Sequence, residues 1–381
     1  MPGALEGLKV LDFSTLLPGP MASLMLADAG AEVIKVERPG SGEEMRLYAP
    51  KWGADSVNFN MLNRGKKSLA IDLKDAVARG VLDRLLREAD VLIEQFRPGV
   101  MARLGLGYED VRKINHDIVY CSVSGYGQVG PKALRAGHDM NYIGDAGLLG
   151  LSYGSQEGPV VPPALIADIA GGTYPALINI LLALRVRDAG RGGAYLDISM
   201  ADNLFPFLYW AMGNGQAAGS WPGNGNDLVT GGTCRYRMYG TADGKVLAAA
   251  PLEQKFWMSF CEAIGLEEHL WDDAKDPEAT AARVAEIVRS KPAAHWEAVF
   301  EVADCCCTIV RSIKEAMEDP HFRARGVFDR VLVNENGASI VGLPMPISRV
   351  FSTSPEGEAS APRLGEHNAE LAERAAQSGN A

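Results

Sequence analysis

Short apolar runs alternate with segments of helical periodicity over the first 125 residues, and this alternation limits the possible folds more than any other feature. It predicts strands at residues 8–13, 31–37, 68–73, 91–94 and 118–124. It predicts helices at residues 21–30 and 75–88, with a turn at residues 17–20. Strands that are joined by helices form a parallel sheet with helices packed on it. We therefore expect an α/β domain with a doubly wound, Rossmann-like sheet.

The pattern changes after about residue 200, where aromatic and glycine-rich segments replace the alternation. Residues 238–252 predict a hairpin that turns at Ala242-Asp243-Gly244-Lys245, and helices follow to about residue 310. This part indicates a smaller α+β domain. We place the large domain at residues 1–198 and 343–381, the small domain at 230–309, and linkers at 199–229 and 310–342.

Composition limits the kinds of partner. The 381 residues are 47% hydrophobic, which is enough for a large core, and carry a formal net charge of −11. An acidic chain is a poor partner for nucleic acid. The first ten residues lack the pattern of a secretory signal, and the longest apolar helix candidate, residues 175–186, is too short to span a bilayer. We expect a cytoplasmic protein that binds neither nucleic acid nor membrane.

Two glycine motifs match known signatures, but their contexts argue against both. Residues 125–130 match G-x-G-x-x-G, yet they come late in the sheet and Pro131 follows, so no phosphate-binding helix N-terminus is expected there. The turn after the first strand, residues 14–20, lacks the motif, which disfavours NAD(P). Residues 150–154 match the G-x-S-x-G elbow of serine hydrolases, but a loop follows where a helix is needed, so we expect a surface turn.

Metal chemistry finds no support in the sequence. The six histidines are scattered without metal-binding spacing. Cys305, Cys306 and Cys307 are consecutive, which suits neither a zinc pair nor a disulfide. We expect these cysteines to be small buried residues.

Three proton carriers stand in contexts that suggest chemistry. His138 lies in a Gly-His-Asp segment, Asp168 follows an apolar run and precedes a glycine pair, and Glu253 ends another apolar run. An imidazole and two carboxylates in such surroundings can take a proton from one side of a carbon and return it from the other. Each also has a structural interpretation: a satisfied histidine, a helix cap for Asp168, and a solvated strand end for Glu253.

Several longer segments together resemble the family III CoA-transferases, and within them the α-methylacyl-CoA racemases. The most specific are residues 30–40, 63–68, 96–100 with 103–107, and 125–131, and the resemblance runs nearly from end to end. It implies a large doubly wound domain joined by long linkers to a small domain, in a homodimer whose chains interlock. It also implies an active site between one chain's large domain and the other chain's small domain.

Members of this family divide by chemistry. The transferases use an aspartate, matching Asp168, as a nucleophile that becomes an acyl anhydride and then a thioester with coenzyme A. The racemases keep this aspartate and add a histidine and a glutamate, which match His138 and Glu253. The resemblance therefore implies racemisation of 2-methyl-branched acyl-CoA thioesters, with CoA transfer as the alternative. The sequence leaves the acyl group open.

Racemisation explains why these residues belong together. The carbon next to a thioester carbonyl is a weak acid, so proton removal needs a placed base and a stabilised enolate oxygen. We expect His138, oriented by Glu253, to serve one face of this carbon and Asp168 the other. The backbone N–H of Asp139 is our candidate donor to the enolate oxygen. The rest of the segment is expected to contact the substrate: Gly137, Met140, Asn141 and Tyr142.

Positive charge marks the expected site for coenzyme A. Arg38 ends the second predicted strand, where nucleotide-binding folds recognise a ribose, and an arginine suits a ribose phosphate. By resemblance, the coenzyme contacts Arg38, Ile71, Asp72, Leu73, Lys74, Gln95, Phe96, Arg97 and Arg103. Because only protons move in the expected reaction, we expect no metal and no cofactor apart from the coenzyme A of the acyl-CoA thioester itself.

Overall fold

The computed structural model describes residues 3–352 and 357–377. The chain divides into two compact units, and each is built from separate stretches of sequence. Unit 1 comprises the described residues of Met1–Ala146, Ala164–Pro206 and Pro320–Ala381, and unit 2 comprises Gly147–Pro163 and Phe207–Asp319. Residues 147–163, which the sequence assigned to the large domain, belong to unit 2. The predicted linker boundaries stay a prediction.

Unit 1 is built on a parallel sheet. Its strands are β1 (Lys9–Asp12), β2 (Glu32–Glu37), β3 (Lys67–Ala70), β4 (Val91–Glu94), β5 (Val119–Ser124) and β6 (Ala194–Ser199). Within the described residues, all six run parallel in the order β3-β2-β1-β4-β5-β6. The strand order reverses at β1, and ligands of such sheets bind at the carboxyl ends of the strands near this reversal. The predicted α/β fold with a parallel sheet is confirmed.

Helices pack on the faces of this sheet. The first seven are α1 (Pro18–Asp28), α2 (Val57–Asn63), α3 (Ala76–Glu88), α4 (Val100–Arg103), α5 (Tyr108–Ile114), α6 (Asp139–Asp145) and α7 (Tyr174–Val186). Leu11, Ile34 and Leu92 share a buried core with Leu82 of α3. Alternate residues of a strand point to opposite faces of the sheet, so both faces can pack against helices. Helices α1 and α7 also contact the sheet. This packing fixes the loops at the carboxyl edge.

Two boundaries near that edge differ from the prediction. The expected turn at residues 17–20 is wrong, because α1 begins at Pro18. Proline is tolerated in the first turn of a helix, where its missing N–H leaves no bond unmade. Leu16, with a φ of 62°, makes the sharp turn between β1 and α1. The expected strand at residues 68–73 is shorter, because β3 ends at Ala70 and a turn follows at residues 73–74.

The helix that carries Asp168 is longer than expected. A π-helical segment, Ala167–Thr173, leads directly into α7, and a second one, Arg187–Arg191, follows it. The resulting 25-residue helix is long and apolar enough to cross a membrane by length and composition alone, so the expectation that it is too short is wrong. The core helix of a soluble protein passes the same test. Here the helix contacts α1, β5 and β6.

Unit 2 combines helices with a small antiparallel sheet. Its elements are α8 (Tyr209–Ala218), β7 (Arg237–Gly240), β8 (Val246–Ala249), α9 (Gln254–Ile264), α10 (Pro277–Arg289), α11 (Ala293–Val302), β9 (Cys307–Ile309) and α12 (Ile313–Glu318). Strands β7 and β8 pair antiparallel, which confirms the predicted hairpin, and β9 pairs with β8. Trp257, Phe260 and Trp296 pack together in its core.

Two smaller expectations concern unit 2. Residues 149–151 form a short 3-10 helix and Gly154 pairs with Pro159, so no helix follows Ser152 and these residues are not a nucleophile elbow. The expectation that all three consecutive cysteines are buried is wrong. Cys305 is buried and Cys307 is half-buried, but Cys306 is exposed, with a φ of 57°.

The chain then returns to unit 1 through α13 (Pro320–Ala324), β10 (Arg330–Val333), β11 (Ser339–Val341), β12 (Gly357–Ala359) and α14 (Asn368–Gln377). The three strands form a sheet in the order β11-β10-β12, so part of the predicted linker 310–342 is regular structure. Helix α14 closes the core through Leu371. Asn368 at its start bonds both to the Ala70 N–H, at 2.8 Å, and to the Ala70 carbonyl oxygen, at 2.9 Å.

Candidate active site

Buried charges fix the loop that follows β1. The Asp12 carboxylate accepts hydrogen bonds from the Ser14 backbone N–H, at 2.9 Å, and from the Lys66 ammonium, at 3.2 Å. Lys35 donates to the Ser14 carbonyl oxygen at 2.9 Å and pairs with Glu43 at 2.8 Å. Burial alone would raise the pKa of Asp12, but Lys35, Lys66 and the bonded hydroxyl groups hold it well below its usual value. The loop is therefore held at the carboxyl end of the central strand.

His138 stands immediately before α6. It is the N-cap residue of this helix and has an extended backbone. Its N–H donates to Asn141 Oδ1 at 3.0 Å. The Tyr142 hydroxyl donates to the Gly137 carbonyl oxygen. A Cβ on Gly137 would lie 2.7 Å from the Tyr142 ring, so only glycine permits this approach. These contacts hold the exposed His138 at the helix N-terminus.

Asp168 lies in the first turn of the π-helical segment. Its backbone N–H donates to Asp139 Oδ1 at 2.9 Å, which joins this segment to α6. On the other side, a Cβ on Gly171 would lie 2.2 Å from the Met200 carbonyl oxygen, so the segment packs directly on backbone. A π-helical turn is uncommon and is frequent at functional sites. The two contacts fix where Asp168 stands.

The Asp168 carboxyl group is poised to hold a proton near neutral pH. Its burial raises its pKa to about 6, the nearby Asp139 carboxylate acts in the same direction, and His138 opposes both. A carboxyl group with such a pKa can act as an acid in one direction of a reaction and as a base in the other.

The two acid–base groups share a cavity of about 470 Å³ at the carboxyl ends of the strands, which we call the His138 cavity. Its wall consists of residues from four loops and their helices: Thr15, Leu16, Pro18, Gln95, Phe96, Arg97, Pro98, Val123, Ser124, Gly125, Ala133, Arg135, Ala136, Gly137, His138, Asn141, Tyr142, Asp168 and Met200. The wall is partly apolar and carries the positive charges of Arg97 and Arg135. Such a cavity can hold a small acyl group beside two proton carriers.

A second cavity of about 720 Å³, the Arg38 cavity, lies at the ends of β1 to β4. Its wall includes Arg38, Ile71, Asp72, Leu73, Lys74, Gln95, Phe96 and Arg97. Arg38 Nε donates to the Gly42 carbonyl oxygen at 2.9 Å, and the Phe96 N–H donates to Glu94 Oε2 at 2.8 Å. These bonds fix the Arg38 side chain and the loop after β4 on the wall of this cavity. Its cationic side chains suit phosphate groups.

The two cavities adjoin. Thr15, Gln95, Phe96 and Arg97 line both of them. Gln95 also accepts a hydrogen bond from the Gly19 N–H at 3.0 Å, which links the shared wall to α1. One elongated ligand can therefore place a phosphate-bearing end beside Arg38 and a reactive end between His138 and Asp168.

Some predicted residues lie elsewhere. Within the described part of the chain, neither cavity wall includes Met140, which is 51% exposed on α6, or Arg103, at the end of α4. The predicted contact of Met140 with the substrate stays a prediction. Glu253 is exposed before α9 in unit 2. Its pairing with His138 stays a prediction.

Sequence reasoning missed several residues of the His138 cavity. Thr15 and Leu16 follow the central strand, and Ser124 ends β5. Their position at the carboxyl ends of parallel strands was a usable signal, because ligands bind there in doubly wound folds. Arg135 lies in an irregular loop, and no pattern in the sequence marks it.

Comparison with known proteins finds relatives along the whole chain. The sequence profile of the family described as CoA-transferase family III matches residues 5–368. An alpha-methylacyl-CoA racemase from Homo sapiens is 32% identical over 380 residues, covering 97% of this chain and 93% of the relative. An acetyl-CoA:oxalate CoA-transferase from Acetobacter aceti is also 32% identical, over 384 residues, covering 97% and 95%. The crystal structure of a CAIB/BAIF family protein from Brucella suis matches with a TM-score of 0.84 and 27% identity, covering 98% and 100%.

Proposed function

Since this chain belongs to CoA-transferase family III, as its sequence segments predict, we propose that it racemises 2-methyl-branched acyl-CoA thioesters. The relatives named above include a racemase and a CoA-transferase at equal identity, so the choice between these activities rests on the residues of the site. His138 and Asp168 are the proposed acid–base pair, and the Arg38 cavity is the proposed site of coenzyme A.

One observation carries this proposal: His138 and Asp168 line the same cavity, and that cavity adjoins the Arg38 cavity. A transferase needs the aspartate as a nucleophile, and the histidine beside it has no required part in that reaction. Racemisation needs two groups that exchange protons with one carbon. The raised pKa of Asp168, about 6, supports the second role, because about a tenth of the carboxyl groups remain protonated at pH 7.

The proposed reaction has two proton transfers and an enolate between them. One group removes the proton from the carbon next to the thioester carbonyl, and negative charge moves to the carbonyl oxygen. The backbone N–H of Asp139, at the N-terminal end of α6, is the proposed donor to that oxygen. The other group then gives a proton to the opposite face. His138 and Asp168 exchange roles when the other enantiomer binds, and no cofactor takes part.

We further propose that Glu253 orients His138 and that the protein is a homodimer. The apolar face of α7 supports the dimer: Ile178 and Leu182 are 56% and 59% exposed, and Leu181 and Val186 lie beside them. Positions three and four residues apart share one side of a helix. A contiguous apolar surface of this kind marks a contact with a protein or a membrane. Light scattering after gel filtration is expected to give the mass of two chains, and a monomer that pellets with lipid vesicles would contradict this.

CoA transfer is the alternative, supported by the names of relatives such as the Acetobacter aceti enzyme. In that reaction the Asp168 carboxylate attacks the thioester carbonyl, and coenzyme A leaves as the thiolate. Acyl anhydride and aspartyl thioester then form in turn, as the resemblance implies. A pKa of about 6 leaves most Asp168 carboxylates ionised at pH 7, which suits this role as well.

Deuterium uptake distinguishes the two activities. A single enantiomer of a 2-methylacyl-CoA is incubated with the protein in D₂O, then examined by mass spectrometry and chiral chromatography. We expect one deuterium at the α-carbon together with loss of optical purity. Absence of both, with labelled coenzyme A moving from a donor thioester to an added free acid, would establish transfer and overturn racemisation.

A further inference from the structure

The Asp139 side chain is a buried carboxylate, although a neutral side chain could make the same hydrogen bond. The residue is 5% exposed, and its Oδ1 accepts the Asp168 backbone N–H at 2.9 Å. A neutral asparagine side chain has the same acceptor atom in the same place and can make the same bond. Burying a carboxylate costs more than burying an amide. The charge at position 139 therefore calls for a reason beyond helix geometry.

The reason lies in what stands next to Asp139. Its carboxylate is joined by a single hydrogen bond to the backbone of the residue that carries the second acid–base group. The Asp139 carboxylate disfavours ionisation of the Asp168 carboxyl group, and proteins use a like charge in this way to keep a carboxyl group protonated near neutral pH. A racemase needs this, because the group that accepts a proton from one enantiomer must donate one to the other.

We propose that the Asp139 side chain is a positioning residue that fixes the Asp168 backbone in its π-helical turn and holds a negative charge beside it, so that Asp168 both donates and accepts protons. This role is separate from that of the Asp139 backbone N–H. It rests on the proposed function for its purpose, but the effect of Asp139 on Asp168 is measurable without any substrate.

Other charged groups also face Asp168 and set the background for the test. His138 precedes α6 and acts against the Asp139 charge. Tyr142 on α6 interacts with Asp168, and Arg97 and Arg135 line the same cavity. The neighbouring α1 has one charged residue, Asp28, at its far end, and Asp197 of β6 is bonded to the Gln128 N–H. Replacement of Asp139 leaves all of these groups in place.

The test titrates Asp168 directly. Protein labelled with ¹³C at the aspartate carboxyl carbon is titrated by NMR, and the Asp168 signal is identified by its absence from Asp168→Asn. In Asp139→Asn the Asp168 midpoint is expected to fall by about 1 pH unit, because one like charge is gone and burial remains. Asp117→Asn, an exposed site at the opposite edge of the sheet, is the matched control and should leave the midpoint unchanged. An unchanged Asp168 midpoint in Asp139→Asn would overturn the proposal.

Catalysis provides a second, independent readout. The pH profile of α-proton exchange should move to lower pH for the enantiomer that needs Asp168 as a base. For the other enantiomer, whose inversion needs protonated Asp168, the rate of inversion at pH 7 should fall. Asp139→Ala loses the hydrogen bond as well and should lower the rates for both enantiomers. Asp139→Asn keeps this bond and should retain the rate for the enantiomer that needs Asp168 as a base. Wild-type protein that exchanges no proton would reject the proposed function, whereas the NMR midpoint would still decide the role of Asp139.

Discussion

Replacing Gly171 by alanine should displace Asp168 and nearly abolish activity while leaving the fold intact. The new Cβ would lie 2.2 Å from the Met200 carbonyl oxygen, whereas ordinary contacts begin at 3.4 Å. The π-helical segment must therefore retreat by about 1 Å, since the obstacle is backbone and cannot rotate away. Overpacking of this size costs about 1–3 kcal/mol of stability. A shift of about 1 Å in a catalytic group costs on the order of 100-fold in rate.

Gly144→Ala is the matched control. Gly144 lies in α6, the neighbouring helix of the site, and a Cβ there meets nothing within 4 Å. Alanine is favoured over glycine in helices, so this variant should be unchanged or more stable by roughly 0.5–1 kcal/mol. Both variants are compared by urea denaturation and by deuterium exchange of a 2-methylacyl-CoA. Gly171→Ala with the stability and exchange rate of the wild type would refute the link between this contact and the position of Asp168.

Three further predictions concern charge. Asp168→Asn should stabilise the protein above pH 6, because a carboxyl group whose pKa is higher in the folded protein than its value of 3.8 in the unfolded chain opposes folding once it is ionised. The gain in the free energy of unfolding is at most about 3 kcal/mol and disappears below about pH 4. Urea denaturation at several pH values measures it. Asp12→Asn should destabilise by about 3–5 kcal/mol, since the buried Lys66 ammonium loses its ion pair, whereas Asp110→Asn at an exposed pair should cost below about 1 kcal/mol in the same assay. Arg38→Ala should weaken coenzyme A binding about tenfold or more in calorimetry without changing the affinity for dephospho-coenzyme A, which lacks the ribose phosphate; equal losses for both ligands would contradict the assignment.

The sequence predicts the parallel sheet because each strand and helix leaves a local signature. Apolar runs of four to six residues, separated by segments of helical periodicity, are enough to predict the ends of β1, β2, β4 and β5 within a residue or two. The ends of elements depend on tertiary contacts and are harder to predict. Pro18 looked like a turn residue, yet it begins α1 because the chain bends before it, at Leu16. The 25-residue helix is also longer than its apolar run, because π-helical turns extend it at both ends.

The candidate site is predictable in its residues and not in its contacts. His138 and Asp168 stand out by local context, but nothing in the sequence shows that Asp139 bonds to the Asp168 backbone across 29 positions. That bond depends on how α6 packs beside the π-helical segment. The same limit applies to Met140, whose 51% exposure on α6 the sequence does not predict, because the faces of a helix differ in burial.

In the proposed mechanism His138 and Asp168 act on opposite faces of one carbon, and the first measurement to make is α-proton exchange of each enantiomer by the two single variants. Each enantiomer of a 2-methylacyl-CoA is incubated separately in D₂O with His138→Ala and with Asp168→Asn. Each variant should exchange the α-proton of only one enantiomer, and the enantiomer should be opposite in the two variants. Exchange of the same enantiomer by both variants, or of both enantiomers by either, would contradict the two-face mechanism.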